Sequence, residues 1–146
     1  MQNRWKVIII STASLLLGAL LYSATRSESI YLNQFVSQFG DGAVLRFFQK
    51  LIHNTDIPEW IIYSLPDGLW MFALILLILM LWDFKLNKGS FLWVIIAFFL
   101  GILFEALQGL HIVRGTFDII DIYFILIAVI LPILYLLLKP NKWIIN

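Results

Sequence analysis

Between residues 105 and 121 the chain reads EALQGLHIVRGTFDIID, a polar stretch set between two long apolar runs. It holds Glu105, Gln108, His111, Arg114, Asp118 and Asp121. A carboxyl group kept in apolar surroundings can serve as an acid or a base. An arginine can hold a phosphate or carboxylate through paired hydrogen bonds, and carboxylates can hold a divalent ion against a diphosphate. The histidines and aspartates lack a recognised ligand spacing, so no metal and no cofactor is expected. No Ser-His-Asp set, phosphate-binding glycine loop or HExxH is present.

A purely structural reading stands beside this one. Asp118, and Asp67 earlier in the chain, have the placement of helix caps. Arg114 can pair with Glu105 or Asp121 and pin two helices together, and a carboxylate near a cation and a Gln amide is then satisfied without any ligand. His111 reads as an interfacial side chain, and spacing supplies no partner for His53.

The elements that must position these residues are membrane helices. The chain has 146 residues, 62% of them hydrophobic and 13% charged, against about 25% charge in a soluble domain. Net charge is +1, so no nucleic-acid partner is expected. Without cysteines there is no disulfide, thiolate metal site or cysteine nucleophile. The expected class is all-α and polytopic, with four spans at about 7–25, 64–83, 91–110 and 117–138. About 20 apolar residues make a span; the apolar run Leu69–Trp82 has only 14, about 21 Å against a core of roughly 30 Å, so the second span must include Ser64–Gly68.

Residues 7–25 carry no charge and could be a cleaved signal peptide. Tyr22-Ser23-Ala24 is a poor cleavage site, so an uncleaved first helix is expected, with Ser11, Ser14 and Gly18 as a small-residue face. The loop 26–63 carries two sets of apolar residues at helical spacing, separated by Gly40-Asp41-Gly42. Two interfacial helices fit them. Ser64 can cap the second span, with Pro66 and Asp67 in its first turn. Asp83–Ser90 reads as a polar turn. Ala97, Gly101, Glu105 and Gly109 recur every four residues, so they share a face that meets another helix. Asp118 and Asp121 resemble a capping box.

Four spans place the N-terminus, the 83–90 turn and the C-terminus on one side. That side carries Arg4, Lys6, Lys85, Lys88, Lys139 and Lys142 on short segments, which makes it cytoplasmic. Trp5, Trp82, Trp93 and Trp143 would mark the inner boundary, and Trp60 and Trp70 the outer one. Asp67, Glu105, Gln108, Arg114, Asp118 and Asp121 then gather at the outer face.

At these residues the chain resembles the VanZ-like membrane protein family. The resemblance lies in Glu105-Ala-Leu-Gln108 at the end of one helix, Arg114 in the following loop, and Asp118-Ile-Ile-Asp121 opening the next helix. It covers about the last 40 residues, together with the four-span layout. Ile125 and Ala128 stand where the family usually has Asn and Gly, and Arg114 is one residue further from Asp118 than usual. Lys50-Leu-Ile-His53 has the spacing of a family motif but lies in the loop. The chain therefore reads as a divergent member. The resemblance implies a bacterial inner-membrane protein linked to low-level resistance to glycopeptides such as teicoplanin.

The leading expectation is a protein that binds an envelope lipid or lipid-linked precursor. Glu105, Asp118 and Asp121 would form an acidic wall, with Arg114 and Gln108 orienting the ligand. The alternatives are a small membrane enzyme acting on lipid head groups and a structural subunit of a membrane assembly.

Overall fold

The computed structural model describes residues 2–25, 46–47, 49–50, 55–113, 115 and 117–138. Arg114, His53, Lys139, Lys142 and most of the two expected interfacial helices lie outside the described residues. The described chain forms α1 (Gln2–Thr25), α2 (Glu59–Tyr63), α3 (Leu65–Leu81), α4 (Lys88–Gly109) and α5 (Ile119–Leu138). There is no strand among the described residues, whose regular structure is all helical.

Among the described residues, three stretches are long and apolar enough to cross a membrane: Arg4–Ala24, Lys88–Gly109 and Ile119–Leu138. Their outer faces are apolar too, with Ile9, Leu16, Phe99 and Tyr135 more than 60% exposed. Such a surface suits lipid and not water. The helix expected at 64–83 is shorter. At 17 residues α3 measures about 25 Å, a turn less than the roughly 30 Å hydrocarbon core. It is nevertheless the centre of the bundle, packing against α1, α4 and α5. Ile75 and Leu79 on α3 are among the most buried side chains.

Local chemistry explains where the helices differ from their expected bounds. Both α3 and α4 end in Schellman turns built without glycine. After α3, Asp83 N–H donates to Met80 O (3.1 Å) and Phe84 N–H to Leu79 O (2.8 Å), with Asp83 and Phe84 at positive φ. After α4, His111 N–H donates to Gln108 O (2.9 Å) and Ile112 N–H to Leu107 O (3.0 Å), with His111 at φ 58°. The turn expected over Asp83–Ser90 is also shorter than read, because Asn87 and Ser90 close a capping box. Ser90 N–H donates to Asn87 Oδ1 at 2.9 Å, and Asn87 N–H to Ser90 Oγ at 3.0 Å. This starts α4 at Lys88, so residues 88–90 are helical.

The small face of α1 meets α3. Ser11 and Gly18 are buried, and a Cβ on Gly18 would sit 2.6 Å from Trp70 Nε1. The same indole faces Leu15 O at 3.4 Å and stacks obliquely on Tyr22 with ring centres 5.3 Å apart. At the other end Arg4 forms an ion pair with Asp83. The start of α1 and the α3–α4 turn therefore share one end of the bundle, where the Trp82 and Trp93 rings also meet.

Candidate functional site

The start of α3, the end of α4 and the start of α5 converge at the opposite end of the bundle. One turn in from that end, Gly101 of α4 carries no side chain. A Cβ there would lie 2.7 Å from Met71 Cε and 3.4 Å from Ile125 Cδ1, so α4 approaches both neighbours closely. Met71, Gly101 and Ile125 each stand four residues from an acid: Asp67, Glu105 and Asp121 respectively. Four residues is about one helical turn, so the acids occupy the next layer outward. Gly68 tightens that layer: a Cβ there would be 3.1 Å from Phe124 Cβ, which brings the first turns of α3 and α5 together. A further turn inward Ile75, Ala97 and Val129 are all buried, which continues the same face.

The outcome is a cluster of three carboxylates. One oxygen each from Asp67, Glu105 and Asp121 lie within 4.8 Å of one another. Glu105 is 4% exposed and Asp121 6% exposed, and Asp67 is half-buried. Glu105 Oε2 is shielded from solvent and has no hydrogen-bond partner. Ser64 Oγ, wholly buried one turn before Asp67, has none either.

The other candidates separate from this group. Asp118 caps α5, its Oδ1 accepting from Ile120 N–H at 2.9 Å, and it meets the cluster through its backbone amide, which donates a hydrogen bond to the Glu105 carboxylate. Asp121, three residues on, faces the bundle. Its backbone N–H donates to Asp118 O at 3.1 Å, while its side chain belongs to the cluster and not to a capping box. Asp67 joins the cluster from the first turn of α3. Ser64 does not cap α3 through its side chain; its backbone is helical, at φ −97° and ψ −33°, which aims Oγ away from the free amides. Gln108 folds over Gly115, where a Cβ would lie 2.6 Å from its Cδ. His111 is exposed and serves the Schellman turn.

The sequence points to all three clustered acids and to Gly101 on the row below Glu105, but not to Met71 and Ile125, which complete the layer that sets the acids' spacing. The signal was available, since both lie one turn inward from an acid. A cavity of about 430 Å³ lies elsewhere, lined by Lys6, Val7, Phe72, Leu76, Pro132 and Tyr135 among others. None of the carboxylates lines it.

Chemically, three converging carboxylates can share a proton or bind a cation. Comparison with known proteins finds no matching family model, no matching curated protein and no matching solved structure.

Proposed function

We propose that this chain is a VanZ-like protein of the bacterial cytoplasmic membrane that binds the head group of an envelope lipid or lipid-linked precursor. In this reading α3 crosses with the three longer helices, both termini are cytoplasmic, and the carboxylate end of the bundle faces outward. The observation that carries the proposal is the convergence of Asp67, Glu105 and Asp121 from three helices. Ionisable groups inside a membrane bundle are costly, and they mark ligand or ion paths.

Replacing Glu105 by Gln and Asp121 by Asn singly tests the proposal, with folded yield and teicoplanin susceptibility measured together. Altered susceptibility at normal yield is expected. Unchanged susceptibility at normal yield in both variants would sink the reading.

A further inference from the structure

An acidic wall alone repels the phosphates of a lipid-linked precursor. We propose that Asp67, Glu105 and Asp121 hold a hard divalent cation of the Mg²⁺, Mn²⁺ or Ca²⁺ class, and that this ion receives the head-group oxygens. The second half of the proposal rests on the head-group reading above; the first half does not.

Three observations carry the ion. The first is geometry. Two oxygens on one Ca²⁺, at 2.3–2.6 Å each, can be no further apart than about 5 Å, and on Mg²⁺ no further than about 4.2 Å. One oxygen from each carboxylate already lies within 4.8 Å of the others, inside the Ca²⁺ limit, while Mg²⁺ needs the side chains to close by about 0.6 Å. The second is Glu105. Its Oε2 has no hydrogen-bond partner in a side chain that is 4% exposed. Buried polar atoms are nearly always satisfied, and an ion satisfies a carboxylate oxygen more fully than any neutral donor. The third is ligand chemistry. The described cluster offers oxygen only, with neither sulfur nor imidazole, which selects hard cations over zinc or copper.

The coordination number then supplies function. Three carboxylates leave roughly half of a six- to eight-oxygen shell open. Those positions are free for phosphate or diphosphate oxygens. A bound divalent ion offsets most of the acids' negative charge and turns its open positions toward an incoming anion, so the acids become part of an anion site. Ser64 Oγ is a further buried oxygen without a partner. It stands three residues before Asp67, and that spacing puts the two on one helical face.

The test uses the purified full chain in detergent with Mn²⁺ alone, followed by electron paramagnetic resonance and by thermal unfolding. A single Mn²⁺ per chain is expected, displaced by Mg²⁺ or Ca²⁺, with a rise in melting temperature that Na⁺ does not reproduce. Glu105→Gln and Asp121→Asn should each weaken binding by about tenfold or more. Asp83→Asn, at the far end of the bundle, should leave it unchanged. Where Glu105→Gln does not fold, Glu105→Asp keeps the charge, withdraws the carboxylate by one methylene, and should still weaken binding. No Mn²⁺ bound at millimolar concentration, or binding that none of the cluster substitutions alters, would overturn the cation site. If Glu105→Gln changes teicoplanin susceptibility while no ion binds, the cation inference falls and the head-group reading stands. If the ion binds at the cluster but susceptibility never changes, the site stands and the head-group reading falls.

Discussion

Gly101 sits against Met71 so closely that a single added methyl would come within 2.7 Å of the methionine's terminal carbon. That contact lies one turn beneath the three carboxylates and governs how near Glu105 comes to Asp67. The nearest atom is the far end of a flexible side chain, so Gly101→Ala is tolerable, and alanine also favours the helix. Gly101→Val adds branched bulk that Ile125 Cδ1, 3.4 Å from the same Cβ position, cannot escape as easily. Its expected cost is about 1–3 kcal/mol, with a matching loss of Mn²⁺ affinity, whereas Gly101→Ala should stay within about 1 kcal/mol. Thermal unfolding of both variants in detergent checks the difference.

Neutralising one acid should act in opposite directions with and without divalent ions. In chelator, three nearby carboxylates repel one another, and Glu105→Gln removes part of that repulsion. The variant should then melt at or above the wild-type temperature. In Mn²⁺ the wild type should gain stability and the variant gain little, so the order reverses. Melting curves that never cross would remove the link between cluster charge and stability.

His111 ends α4 at φ 58°, a conformation that costs a side-chain-bearing residue about 1 kcal/mol. It is exposed and makes the Schellman turn through its backbone alone. His111→Gly should therefore stabilise the protein by about 0.5–1 kcal/mol, and His111→Val should destabilise it. Chemical or thermal unfolding of the pair reads both signs.

The chain has no cysteine, so single introduced thiols report topology without background. Lys88 opens α4 and Ile112 follows its end; both are exposed. Lys88→Cys and Ile112→Cys should be labelled from opposite sides of the membrane by an impermeant maleimide, with Ile112→Cys reached from outside. Labelling of both from the same side would refute a spanning α4.

The all-helical class and the three long apolar spans were legible because hydrophobic length is the strongest signal a membrane sequence carries. Glu105 was legible as bundle-facing from its i±4 row of Ala97, Gly101 and Gly109. The helix ends were harder. Asp83 and His111 occupy positions where glycine is the usual sign, so neither Schellman turn announces itself. Asn87 and Ser90 make a capping box with serine in the place commonly held by Glu or Gln, and that moved the start of α4 by a turn. Asp118 and Asp121 are the same residue type three positions apart, yet one caps a helix and the other enters the cluster. Only the packing of α5 against α3, set by Gly68 and Phe124, separates their roles. Residue type cannot distinguish them, because the same carboxylate serves both ends.

The glycine contact at Gly101 also has a mechanical side. It leaves α4 with a pivot about 6 Å from Glu105, the rise of four helical residues. Tilting α4 by about 5° around that pivot moves the Glu105 backbone by roughly 0.5 Å. That is comparable to the difference between the short, rigid oxygen shell of Mg²⁺ and the longer, more forgiving one of Ca²⁺. With a divalent ion held as proposed, a few degrees of helix tilt would be enough to shift which ion the three acids prefer.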